Sequence, residues 1–255
     1  MNLTDDFTLK CQIGEPILFE DICVITPPKL REIISLGYSK FVEYLNVLTM
    51  TRPTKSMIKD ERLWELIKDF NDFQYFLTIC SLDKQMNQTA REAFFFFTKE
   101  KVTFMLEPAQ ILFGPLNEKH ILDEGKFAEF QHILRRMNFL EQEGDEIIIY
   151  EDDSPAVKKL KEQMRENRLK VAKAKAKKNA SSKDSLKLSD LIGSITLNDC
   201  GLNMTNVGEI TYYALHDQLK RMGWRDAFRT NSSVALAGGK VKNSDLKNWI
   251  KSINS

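Results

Sequence analysis

Histidine is scarce. His120, His132 and His216 are the only three in the chain, and none falls in H-x-x-H, H-E-x-x-H or H-x-E with paired cysteines downstream. Those spacings are what bring imidazoles and carboxylates onto one metal or one reacting proton, so a metallohydrolase or deaminase has no footing. His216-Asp217 and Glu209 sit near one another in sequence, but no nucleophile accompanies them. The four cysteines, Cys11, Cys23, Cys80 and Cys200, include no C-x-x-C, so no zinc knuckle is signalled. Buried free thiols in a reducing compartment are expected instead. Glycine and proline are few, 11 and 7, which disfavours an all-β chain built on tight turns. Gly238-Gly239-Lys240 lacks the lead of a phosphate loop and reads as a hinge. No apolar run approaches the ~18 residues of a spanning helix. The first ten residues carry Asp5 and Asp6 and do not read as a signal peptide. The expectation is a non-enzymatic protein with no metal, no cofactor and no membrane segment, kept inside the cell that makes it.

Phenylalanine is plentiful, at 16 residues, and much of the core should be aromatic. Charge is abundant but uneven. Between Lys158 and Lys187 there are twelve Lys or Arg against three acids, a net of +9; the whole chain is +1, so the rest carries −8. The cations Lys158, Lys159, Lys161, Arg165, Arg168, Lys170, Lys173, Lys175, Lys177 and Lys178 lie in a stretch with high helix propensity and almost no large apolar side chain. Such a helix has nothing to bury and reads as a solvated tether. Docking on an acidic partner is open. Nucleic acid is the weaker reading, since the stretch has no aromatic for base stacking and no recognised nucleic-acid motif.

The pattern predicts a mainly α fold with a minor β component, in three parts. Residues 1–152 form an α+β N-terminal domain, 153–185 a Lys-rich helical connector and 186–255 a small helical C-terminal domain. Thr8 to Ile13 and Ile17 to Ile25 read as strands around Gly14-Glu15-Pro16. A helix follows Pro28, with Leu30, Ile33, Ile34, Phe41, Tyr44, Leu45 and Leu48 on one face and Gly37 interrupting. Asp60 to Ile79 and Asn87 to Lys99 read as further helices. The second holds Phe94, Phe95, Phe96 and Phe97, which cannot all face one core because a helix turns about 100° per residue. Val102 to Leu106 and Gln110 to Phe113 read as strands, Asp123 as the cap of Glu124 to Asn138, and Glu146 to Tyr150 as a short β run. Ser154-Pro155 opens the Lys-rich helix. In the last part Leu186 to Leu197 is amphipathic, Asn206 caps a helix from Val207 to Met222, Gly223 ends it, and a final helix carries Leu246, Trp249 and Ile250.

The order of these parts resembles the tail assembly chaperones of long-tailed bacteriophages. Ile25-Thr-Pro-Pro-Lys-Leu-Arg-Glu-Ile-Ile34, Tyr38-Ser-Lys-Phe-Val-Glu-Tyr-Leu45 and Phe127-Ala-Glu-Phe-Gln-His-Ile-Leu134 are similar to segments of that family. Asn203 to Arg221 is similar to its N-x-x-N-x-W-D-L-T-x-Y-Q-L-x-D-x-F-x-R pattern through Asn203, Asn206, Ile210, Thr211, Tyr213, Leu215, Asp217 and Arg221. Gly208, Ala214 and Leu219 depart from it, standing where Trp, Gln and Phe are expected. The resemblance implies a chaperone that binds the tape measure protein and recruits tail tube subunits, working in the host cytoplasm and absent from the mature virion, with self-association as a further contact. The order of parts is that of the long form of such proteins. Candidate partner-binding residues are Phe94, Phe95, Phe96 and Phe97, and Tyr212, Tyr213, Asp217 and Arg221. A nucleic-acid-associated protein using the basic stretch, and a permanent tail or connector component of the particle, are the other open readings.

Overall fold

The computed structural model describes residues 5–58, 60–114, 120–140, 187–197 and 201–242, with isolated positions between 154 and 164 and position 246. The fold is mainly α with a minor β component, the sheets having two and three strands.

The first element corrects the sequence expectation. Asp5–Ile13 is a helix, α1, not a strand. Leu9, Cys11 and Ile13 alternate as a strand would, but Leu9 and Ile13 are exposed, and Phe7 and Cys11, four apart, are the buried pair. Asp5 and Asp6 sit in the first turn, where the helix dipole favours acids. Gly14 ends α1 at φ +80, its N–H donating to the Lys10 carbonyl at 2.9 Å. That left-handed conformation suits glycine.

The expected strand Ile17 to Ile25 is a hairpin, β1 (Ile17–Phe19) and β2 (Cys23–Ile25), paired Ile17 to Ile25 and Phe19 to Cys23. Those four side chains enter the core, while Leu18 and Val24 face out. The long helix after Pro28 breaks at Gly37, at φ +93, into α2 (Leu30–Leu36) and α3 (Tyr38–Leu48). The predicted helix Asp60 to Ile79 is likewise two, α4 (Glu61–Ile67) and α5 (Asp72–Leu82). Asn71 decides the second start: its Oδ1 accepts from the Gln74 amide at 2.7 Å while Gln74 Oε1 accepts from the Asn71 amide at 3.2 Å, a reciprocal cap.

Asp83 caps α6 (Lys84–Thr98), accepting from the Gln85 and Met86 amides. A meander of β3 (Val102–Leu106), β4 (Ala109–Phe113) and β5 (His120–Leu122) follows. Asp123 then caps α7 (Glu124–Met137), accepting from the Lys126 amide at 3.0 Å, as expected. Phe94 centres the aromatic core, its ring lying 5.4 to 6.3 Å from those of Phe76, Phe104, Phe113 and Phe130.

Two described helices follow the connector, α8 (Leu188–Thr196) and α9 (Tyr212–Leu236). Gly223 does not end the last one: α9 runs through it for 25 residues, about 37 Å. Its buried residues lie at its beginning: Tyr212, Tyr213, Ala214, Leu215 and Asp217. Glu146 to Tyr150 lies outside the described residues, as does the final helix expected around Leu246, Trp249 and Ile250 apart from position 246 itself.

Candidate functional site

The C-terminal sequence motif folds into a docking device. Its two asparagines shape the approach: Asn203 Oδ1 accepts from the amides of Thr205 and Asn206, and Asn206 Oδ1 accepts from the Asn203 amide at 2.7 Å. Asn206 therefore folds its own loop and does not cap the long helix. After a short 3-10 turn, Val207–Glu209, the cap is Thr211, whose Oγ1 accepts from the Ala214 amide at 2.9 Å. The same hydroxyl donates to the Cys11 carbonyl at 2.7 Å. One side chain thus starts α9 and ties it to the end of α1.

The backbone is tied too. The Leu30 amide donates to the Ile210 carbonyl and the Tyr212 amide to the Pro28 carbonyl, both at 2.9 Å, around an antiparallel bridge between Lys29 and Thr211. Glu209 lies between Lys29 and Arg31 as an exposed ion cluster. Gly208 stands against Arg31: an added Cβ would meet the Arg31 Cβ at 3.4 Å, so the tryptophan of the family pattern would have to displace that side chain.

Inside, Tyr212 stacks edge-on to Phe41 at 5.2 Å, contacts His216 at 4.5 Å and places its hydroxyl 3.3 Å from that of Tyr38. Burial and the Tyr38 contact push the Tyr212 phenol far above its ordinary range. Tyr213 packs on Phe139 at 4.7 Å, and burial raises its phenol as well. His216 stacks on Phe139 at 5.5 Å; its Nε2 is buried with no hydrogen-bond partner, and burial holds its pKa below the ordinary histidine range. Asp217, 3% exposed, accepts from Gln12 Nε2 at 2.9 Å and pairs with Arg221 Nε at 3.1 Å.

Of the sequence candidates, Tyr212, Tyr213 and Asp217 are therefore used inside the chain, and Arg221 lies at the edge of the same network. The partners Gln12 and Phe139 carried no signal in the sequence, and Tyr38 stood out only within a resemblance segment. The four phenylalanines divide as helical geometry requires. Phe94 and Phe97 are fully buried, and Phe96 is half-buried beneath Lys99, whose Nζ lies 5.1 Å from its ring centre. Phe95 is 49% exposed and open to a partner.

In the connector, the Val157 amide donates to Ser154 Oγ at 3.4 Å, in keeping with Ser154 opening a helix. The ten candidate cations from Lys158 to Lys178 lie outside the described residues. Cys11, Cys23 and Cys80 are buried, and burial pushes each thiol up to about 12, which leaves them inert as nucleophiles at neutral pH. Among the described residues no group of His, Cys, Asp and Glu is placed to hold a metal, and no helix is long and apolar enough to cross a membrane.

Residues 175–254 match the family model described as YomV second domain, a phage-derived family. The matched stretch contains α8, the asparagine loop and all of α9. No curated protein and no solved structure gives a match to this chain.

Proposed function

We propose that this chain is a tail assembly chaperone of a long-tailed bacteriophage, a non-enzymatic protein of the host cytoplasm that binds the tape measure protein and recruits tail tube subunits. The observation that carries the reading is that two sequence similarities fall on the same stretch. The phage-derived match spans 175–254, and the stretch most similar to the chaperone family, Asn203 to Arg221, falls within it. Physical features support it. The body presents exposed apolar side chains such as Phe95 and Ile34, and a stretch with nine net positive charges, residues 158–187, runs into the start of the matched segment. Two modules on one chain raise the effective concentration of one client near another without new contacts.

The test is co-expression with the long coiled-coil tail protein of the same phage, followed by affinity purification and by proteomics of finished particles. Co-purification, with the chain absent from virions, is the expected result. Retention in purified virions would favour a permanent tail component. An affinity for nucleic acid that falls steeply with salt would favour the basic stretch as the working element.

A further inference from the structure

α3 and α6 pack along one another, and outside their contact a groove of about 490 Å³ opens between them. Val42, Val47, Met50 and Met86 supply its apolar lining, and Glu43 and Asp83 stand on its two sides. No Lys or Arg is among the lining residues; the others are uncharged and polar. Lys40 is shared between Glu43 at 3.1 Å and Glu92 at 3.7 Å, one cation for two carboxylates, so that edge stays negative. Asp83 caps α6 and remains exposed. The surrounding body is net acidic: residues 1–152 hold 26 Asp and Glu against 17 Lys and Arg, a net of −9.

We propose that this groove receives an amphipathic helix of a partner protein, with apolar anchors seated between Met50 and Met86 and Lys or Arg residues flanking them. The inference rests on the chaperone reading and names the surface that takes the client. Charge decides the class of occupant. An acidic helix would meet carboxylates on both sides, whereas Lys or Arg beside the anchors pairs with them. Methionine decides the tolerance. Two unbranched thioether side chains repack around different anchors, which suits a protein that must engage successive segments of a long client. The lining residues come from α3 and its C-terminal end and from the first turns of α6 with its cap, so the groove lies between two helices, the arrangement that accepts a third.

The experiment uses the full chain and a fluorescein-labelled amphipathic Leu/Lys helix, with the matching Leu/Glu helix as control, read by anisotropy at physiological salt. The Leu/Lys helix binds and the Leu/Glu helix does not. Met86→Lys and Glu43→Lys each weaken binding about tenfold, an effect typical of central interface positions. Glu124→Lys makes the same charge change at an exposed site outside the groove and stays within about twofold, the size expected of a non-contact charge. Thermal unfolding by circular dichroism confirms that each variant is folded. Equal binding of the two helices, equal weakening by Glu124→Lys, or no effect of the two groove variants overturns the proposal. Failure of the chaperone reading shows differently: the tail protein then fails to co-purify while the Leu/Lys helix still binds in the groove.

Discussion

Thr211 and Cys11 are 200 positions apart in sequence, and the Thr211 hydroxyl donates to the Cys11 carbonyl at 2.7 Å. Because that hydroxyl also accepts from the Ala214 amide, one atom fixes where α9 begins and where it docks. Gly14, the residue that ends α1, approaches the same threonine: a Cβ there would lie 3.2 Å from Thr211 Cγ2. Thr211→Val keeps the shape and removes both hydrogen bonds. It should lower the unfolding free energy by about 1–3 kcal/mol in urea titrations, and Thr211→Ser should recover most of the loss. A valine variant as stable as wild type would mean that the hydroxyl does not hold α9 in place.

The four-phenylalanine turn separates folding from binding. Phe94→Ala removes the ring at the centre of the aromatic core and should destabilise by about 3–5 kcal/mol. Phe95→Ser, at a half-exposed ring, should leave stability within about 0.5 kcal/mol and weaken capture of the tail client. If Phe95→Ser unfolds the protein while Phe94→Ala does not, the division of the turn is reversed.

His216 should make stability depend on pH. Burial lowers its pKa in the folded state. The unfolded chain, with a histidine pKa near ~6.5, therefore takes up a proton before the native state does. Stability is full above that value and falls as pH drops below it, by at most ~1.4 kcal/mol per pH unit, until the folded pKa is reached. Thermal melts at pH 7.5 and 5.5 should show a larger loss for wild type than for His216→Gln. Identical losses would assign the pH dependence to other groups.

Trypsin should cut the connector first, between Lys173 and Lys187, because the cations there are closely spaced. Yet Tyr212, Tyr213 and Leu215 lie in one buried cluster with Cys11, Ile33 and Phe41. The two pieces should therefore co-elute on gel filtration after cleavage and part only in denaturant. Separate elution under native conditions would mean that these contacts do not hold the two pieces together.

What could be read in the sequence was what neighbours in sequence decide. The amphipathic face of α3, the caps at Asp123 and Ser154, and the interruption at Gly37 all depend on groups within four residues of one another. The division of the four phenylalanines follows from helical period alone. α1 shows the limit of that reading. Its apolar positions Phe7, Leu9, Cys11 and Ile13 satisfy both a two-residue and a four-residue period, so local pattern could not choose, and the tertiary core chose Phe7 with Cys11. The run from Ile17 to Ile25 hid a hairpin because its turn at Glu20, Asp21 and Ile22 carries no glycine.

Only the tertiary structure decided what the C-terminal motif is for. Asn206 resembled a helix cap in sequence, but its amide side chain closes a loop with Asn203 and Gly201, and the cap passed to Thr211. Tyr212, Tyr213 and Asp217 stood out as polar or aromatic residues fit for a partner, and their partners proved to be Tyr38, Phe139 and Gln12 of the same chain. The physical reason is the range of the forces involved. Capping and helical periodicity act over a single turn and leave their mark in adjacent residues. The burial of a tyrosine or an aspartate depends on which distant surface comes to cover it, and chain folding, not spacing, supplies that surface.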